Sequence, residues 1–480
     1  MLTHSANGDT RLSLWLRVRE FAVPPSMIET ADRRRTAGDW AGACAAANID
    51  VDLDLRSAAR AYGRELAALV RADLRRLAPD LLRWHMPRIA PDGLLRPGLT
   101  VPLARYEVPG AVARVDDARD DVGADGVGDI ASHPLYLVVR TAPAWADAGQ
   151  RMSLALWDGS RSAGERRHPH PRPSRRYRLD LHRHLWDARR SDELRVRSGA
   201  DKEPSVDPPS RTPAAPLSPD EEAGGRAVDR WAAEAGILLR AEGRDSGRVR
   251  VRLGGRRQVV LDVPAGGGPA SAAPVLPPAE ARALPTLPDA ATWVPPDLEL
   301  LRAGLIEAGR LHPLVASALV PGHRPAGPAP VADPPGQPRP VDCRGARHRI
   351  GLSDGVLVPL DHTPAEIRRE ELLVALGGPP LPCLQVIDDA HRRPDCLMGV
   401  RERLDHGDVA GALAVVEGLL GPGAALRDGA LRDALESAAR RRIAYGLYRA
   451  DLHGPGPGRV LPGTDRPRGH RAHPRHSRTR

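Results

Sequence analysis

Three stretches of this 480-residue chain, 199–222, 265–296 and 321–342, are so dense in Pro, Ala and Gly that none is suited to a long helix or strand. A chain punctuated in this way is expected to fold as modules, and its length allows roughly two to four of them. Pro and Gly number 49 and 47, a fifth of all residues, and they gather in those stretches. The segments between are left free to be helical or extended.

Hydrophobic spacing assigns the modules. Ser26-Met27-Ile28-Glu29 has the form of a capping box. Residues 1–26 then read as an N-terminal extension, and Met27 is itself a candidate start. A helical module covers 27–98. Its first helix stops at Gly38, with Asp39 capping the next. "IDVDLDL" alternates as a strand from Ile49 to Leu55, and Leu55 to Leu77 keeps helical spacing. Residues 99–198 form a β-rich module with strands at "TVPLARY", "LYLVVRT", "MSLALWD" and "YRLDL" and an acidic loop at 116–129. Beyond the 199–222 linker lies an α-β-β-β block, 223–264. The 265–296 linker, helices within 297–320 and the 321–342 linker follow. A β-hairpin plus helical module occupies 343–452, with a hairpin in "RHRIGLSDGVLVPL" and a capped helix start at Thr363-Pro364-Ala365-Glu366. Residues 453–480 read as a disordered basic tail. The expected fold class is α+β: helical modules at both ends, small β-containing modules between, joined by Pro/Ala-rich linkers.

One hexapeptide pattern occurs twice, "GDWAGA" from Gly38 and "GDVAGA" from Gly407. Gly supplies a left-handed C-cap and Asp accepts from the unpaired amides of the next helix. Gly38, Asp39, Gly407 and Asp408 are therefore expected to make structural helix turns. They resemble the hairpins of tetratricopeptide-type repeats. A solenoid needs adjacent units, and these stand far apart, so two independent αα-hairpins are expected.

The charge is local. All but one of the 70 basic residues are Arg, the exception being Lys202, while Phe occurs once. This is the usage of a GC-rich genome. Residues 161–183 and 453–480 each carry a net +6, which leaves −3 for the rest of a chain whose total is +9. A P-loop, a protein kinase and a Schiff-base enzyme each need a placed Lys, and the sole Lys lies in a linker, so these chemistries are excluded.

Other motifs fail on context. "GLSDG", Gly351 to Gly355, matches a nucleophile elbow but stands between two strands, where a turn is required. Asp50, Asp52 and Asp54 start like a calcium loop, yet Leu55 and Ala61 occupy the positions of its Gly and Glu, so the wet face of an extended segment is expected. Cys343, His348, Cys383, His391 and Cys396 have ligand chemistry without C-x2–4-C pairing. No metal, no cofactor and no catalytic residue is expected. The best nucleic-acid candidate is the patch Arg166 to Trp186. There Arg175, Arg176 and Arg178 would meet phosphates while Tyr177 and Trp186 stack on bases.

Residues 27–105, with "RRRTAGDWAGACAAANIDVDLDL" and "LRRLAPDLLRWHMPR", resemble the start of a group of uncharacterised actinomycete proteins, and 395–450 resemble the end of the same group. The resemblance implies a family and no mechanism. Four Cys without a dense framework point to a reducing compartment. Arg17 and Arg19 interrupt any signal-peptide core, and no apolar run nears the roughly 18 residues of a membrane span. The expected protein is cytoplasmic, makes no membrane contact and acts as an interaction scaffold through αα-hairpin surfaces on a protein partner. The alternatives are a nucleic-acid-associated protein and an enzyme without a recognisable motif.

Overall fold

The structure is a computed structural model and describes residues 8–108, 134–146, 150–159, 168–201, 225–254, 257–265, 270–273, 276–323, 338–392 and 396–452. The acidic loop and the basic tail lie outside these residues, as does nearly all of the 199–222 linker.

The N-terminal segment is core, not an extension. Helix α1 (Gly8–Arg17) runs into a π-helical turn over Val18–Ala22. Leu14, Val18 and Ala22, four residues apart, are buried on one face with Trp15, whose ring packs 5.2 Å from that of Trp84. Helix α2 (Pro25–Thr36) starts one residue before the expected cap. Pro24 is its N-cap and Pro25 presets the first turn, so Ser26 is inside the helix and caps nothing. Gly38 at φ +82° and the Asp39 carboxylate, which accepts from the Gly42 amide at 2.8 Å, then open α3 (Trp40–Ala46) as expected.

The alternating run yields only β1 (Ile49–Val51), because Asp54 caps α4 (Leu55–Tyr62). Gly63, at φ +93°, separates α4 from α5 (Arg64–Arg76), splitting what spacing alone joins. Helix α6 (Pro79–His85) leads to a short hairpin, β2 (Arg88–Ile89) and β3 (Leu94–Leu95), and then to β4 (Thr100–Tyr106), β5 (Leu135–Thr141) and β6 (Met152–Trp157). The main sheet has the order β1-β6-β5-β4, with β1 parallel to β6 and the others antiparallel. "YRLDL" is not a strand. Leu179–Leu181 is a 3-10 turn that drives Tyr177 and Leu179 into the same core, ahead of α7 (Glu193–Ser198).

In the next block α8 (Trp231–Ala241) absorbs the segment expected as its first strand. Trp231, Ala235, Leu238 and Leu239 are buried at helical spacing, and they cover the sheet of β7 (Gly247–Gly254), β8 (Arg257–Val263) and β9 (Ser271–Ala272). The stretch 265–296 is not a free linker. It holds α9 (Pro278–Ala283) and α10 (Asp289–Thr292), and Leu287, fully buried, donates its amide to the Arg250 carbonyl at 2.8 Å. Two of its prolines are first residues of helices, in α9 and α11 (Pro296–Arg302), and beyond it Pro313 likewise starts α12 (Pro313–Leu319). Helices α11 and α12 return to the first core, where buried Asp297 accepts from Trp84 Nε1 at 2.7 Å and from Arg19.

A third core lies under β10 (Arg339–Cys343), β11 (Ala346–Ser353) and β12 (Val356–Pro359), and α13 (Pro364–Ala375) adds no residue to it, whereas α14 (Pro382–Arg392), α15 (Leu397–His406), α16 (Val409–Leu420) and α17 (Ala430–Arg449) all do. Strand β10 comes from the end of the third expected linker. "GLSDG" is the β11–β12 hairpin, turning through Asp354 at φ +50° and Gly355 at φ +75°. Thr363 and Glu366 exchange the two bonds of a capping box.

With half its residues helical and 18% in small sheets, the chain is α+β. Its two ends meet. Arg83, fully buried, donates to the carbonyls of Ala22, Gln150 and His406 at 2.9, 2.6 and 2.7 Å. The three aspartates expected on a wet face are all engaged: Asp50 by Arg151 and Tyr445, Asp52 by Arg449, and Asp54 as a cap. Among the described residues no helix is long and apolar enough to cross a membrane.

Candidate metal centre

The β10–β11 hairpin turns through Arg344 and Gly345, both in the left-handed region at φ +50° and +88°, so that Cys343 pairs directly with Ala346. With this register Cys343 and His348 emerge on one face, since the face alternates with each residue. His362 follows β12, immediately before the Thr363 cap of α13, and Cys383 sits in the first turn of α14. One donor atom from each of these residues lies within 4.8 Å of every other.

The separations suit a shared ion. Cys343 Sγ is 3.2 Å from Cys383 Sγ, and His362 Nε2 is 3.2 Å from Cys383 Sγ and 3.9 Å from Cys343 Sγ. Tetrahedral zinc, with bonds of about 2.0–2.3 Å, places its ligands on edges of about 3.3–3.8 Å. The sulfurs are too far apart for a disulfide, whose bond is about 2.05 Å. Both Cys are buried, and both His are half-buried with ring centroids 4.3 Å apart. His348 Nδ1 is buried without a hydrogen-bond partner. Behind the site, Glu366 Oε2, which accepts from Thr363 in the capping box, stands 3.9 Å from His362 Nδ1, beyond hydrogen-bond distance. Burial pushes the Cys383 thiol up to about 11. Two sulfurs and two nitrogens, all from protein, make a closed set of the structural type with no open coordination position.

The sequence names three of these residues and dismisses them because no C-x2–4-C pair exists. The fold supplies the pairing through a tight turn instead, as C-x4-H across a two-residue hairpin. His362 is missed outright. The usable signal was the Arg-Gly turn between Cys343 and His348. Cys396 lies outside the cluster, and the side chain of His391 lies outside the described residues.

The nucleic-acid candidates require correction. Tyr177 and Trp186 are buried and cannot stack on a base. Each is already covered by a guanidinium, Arg176 at 5.0 Å and Arg183 at 4.7 Å. Arg176 is held by Asp289 at 2.6 Å and Arg178 by Asp180 at 2.8 Å, while Arg175 is exposed. The helix turns Gly38, Asp39, Gly407 and Asp408 stand as expected, with Asp408 accepting from the Gly411 amide at 2.9 Å.

A second group of titratable residues lies where α1, α6, α8 and α10 meet. Glu234 is gripped by Arg197 and lies 3.3 Å from His182, and these partners hold its carboxyl down at about 2 despite burial. Burial keeps His85 and His184 well below the usual histidine range. The cavity they line measures about 40 Å³, space for a water or two and not for a substrate.

Compared with protein-family models, curated proteins and solved structures, the chain matches none.

Proposed function

We propose that the chain is an interaction protein whose C-terminal unit, residues 338–452, is pinned by a structural zinc ion on Cys343, His348, His362 and Cys383. The observation that carries the zinc is the convergence of four donor atoms, two S and two N, within 4.8 Å. Sulfur–imidazole sets favour zinc over hard cations such as Mg²⁺ or Ca²⁺, and a closed site serves folding more than catalysis. The ion would tie the three-stranded sheet to α14 and thereby to the α15–α16 hairpin.

Supporting the interaction reading, α13 buries none of its residues and exposes Leu372, Leu373 and Val374, with Leu376 just beyond it 85% exposed. Met398 and Ile443 add exposed apolar surface on α15 and α17. Exposed apolar side chains that follow one another along a helix, as on α13, are a feature of contact surfaces. The test is purification of the tagged chain without added metal, followed by elemental analysis and mass spectrometry of bound proteins. About one zinc per chain and a stoichiometric protein partner, both lost in Cys343→Ser/Cys383→Ser, are expected. A metal-free protein, or bound proteins indifferent to the substitution, would refute the reading.

A further inference from the structure

A cleft of about 530 Å³ opens between the outer face of the main sheet and the second core, walled by the loop 172–178, the end of α8 and the turn 283–286. Arg172, Arg175 and Arg244 line it, all exposed and none with a carboxylate partner among the described residues. The other arginines of the wall are engaged, Arg105 with Glu107 at 3.0 Å and Arg178 with Asp180. So are its carboxylates: Asp158 accepts from the Tyr62 hydroxyl at 2.6 Å, and Glu242 lies 3.8 Å from Arg178. The floor carries Tyr136 and Trp157, directly opposed across β5 and β6, with ring centroids 5.9 Å apart and both rings only half-buried.

We infer that this cleft binds a phosphorylated nucleoside, with Arg172, Arg175 and Arg244 on the phosphate and the Tyr136–Trp157 pair against the base. Three exposed guanidinium groups line one cleft without carboxylate partners among the described residues, and phosphate matches their forked donors. An aromatic pair left open on a sheet face beside those charges is the arrangement that stacks bases irrespective of sequence. The volume falls within the range of small-ligand sites, about 300–1,000 Å³. Abundant Arg in this chain is compositional, and other arginines of its folded body also lack a carboxylate partner among the described residues. The three here share a cleft with two adjacent rings tilted by 56°, a conjunction that composition does not arrange. The same chemistry is presented by a free nucleotide and by a residue of single-stranded nucleic acid.

The test uses the full chain freed of nucleic acid by nuclease and high salt. ADP, inorganic phosphate and a labelled twelve-residue oligothymidylate are titrated by calorimetry and fluorescence anisotropy at two salt concentrations. ADP or the oligonucleotide is expected to bind at least tenfold more tightly than phosphate. Arg172→Ala/Arg175→Ala/Arg244→Ala should weaken that binding at least tenfold. For the oligonucleotide the triple change should also flatten the salt dependence by about 2 in log–log slope. Tight ADP with weak oligonucleotide identifies a free nucleotide, and the reverse identifies a strand. Phosphate binding as tightly as ADP, no binding of any probe, or binding that survives the triple substitution would overturn the inference. Because the three arginines are exposed, the substituted protein is expected to fold, and Trp157→Leu gives an independent check on the stacking wall.

Discussion

The side-chain amide of Asn48 donates to the backbone carbonyl of Gly407 at 3.1 Å, so the residue that follows the first "GD" hairpin is bonded to the turn of the second across 359 positions of sequence. Arg83 reaches the neighbouring carbonyl, that of His406, from the fully buried end of α6. The two similar hairpins are thus not consecutive units of a solenoid. They are the two ends of the chain, closed on each other through polar side chains.

Arg83→Met removes the donors of three buried carbonyls at once. Each buried acceptor left unsatisfied costs about 1–3 kcal/mol, and changes of this type cost about 3–5 kcal/mol in total. Asn48→Ala should cost about 1–2 kcal/mol, because it loses the bond to Gly407 and also places a branchless L-residue at φ +57°, which Asn tolerates better. Urea unfolding of the full chain checks both. An Arg83→Met protein within 1 kcal/mol of the parent would show that the ends are held by apolar contact alone.

The metal centre depends on a turn that no ligand belongs to. Gly345 stands at φ +88° with no atom within 4 Å of where a Cβ would lie, so Gly345→Ala meets conformational strain and no clash. The strain is about 1 kcal/mol. Because Cys343 and His348 are set on one face by this turn, the strain should appear in metal affinity, as a fivefold to tenfold rise in the zinc dissociation constant. Competition with a chromogenic chelator measures it. An unchanged constant would mean that the hairpin does not position the ligands.

Acid should destabilise the fold through histidines held neutral. Burial, first, and the nearby Arg88, Arg83 and Arg17 depress His406 to about 3, and burial takes His168 to about 4. In the unfolded chain each titrates near 6.5. The folded values are the lower ones, so the unfolded state takes up protons first. The contribution is complete above about pH 6.5 and is lost as pH falls toward 4 and then 3, at about 1.4 kcal/mol per pH unit for each group. Glu234, down at about 2, adds a further loss only below its ordinary value near 4.5. Thermal unfolding between pH 7.5 and 4 checks the slope, and His406→Leu should make it visibly shallower. A parallel slope in that variant would remove His406 from the account.

What the sequence made legible follows the range of the forces involved. Helix turns at Gly38-Asp39 and Gly407-Asp408, the Thr363 capping box and the Asp354-Gly355 hairpin are decided within a few residues, and they stand as read. The first strand expected in the 223–264 block was lost to α8 because a short apolar run fits a strand or a buried helix face equally until its neighbours are known. Proline density misled over 265–296, since Pro starts helices as readily as it interrupts chains. The metal centre was hidden for a different reason. Its ligands span 343 to 383 and meet only through strand register and the packing of α14. Tyr136 and Trp157 likewise face one another only once β5 and β6 are paired.

Removing the metal should have a local effect that a general loss of stability would not imitate. The third core is small, with its buried apolar residues drawn only from 343 onward, whereas the first runs from Leu14 to Leu319. A unit confined to 338–452 whose sheet has three strands gains much of its order from a staple that joins sheet to helix. Chelation by an excess of a strong zinc ligand should therefore release amide protection across β10–β12 and α14. The main sheet and α5–α6 should exchange as slowly as before. The bonds that join the C-terminal unit to the rest of the chain, Arg83 to His406, Asn48 to Gly407 and Tyr445 to Asp50, all meet that unit far in sequence from the four ligands, so the α15–α17 region should loosen least. Hydrogen exchange read by mass spectrometry, with and without chelator, resolves these segments. Uniform acceleration over the whole chain, or none at 339–392, would show that the four side chains converge without holding an ion.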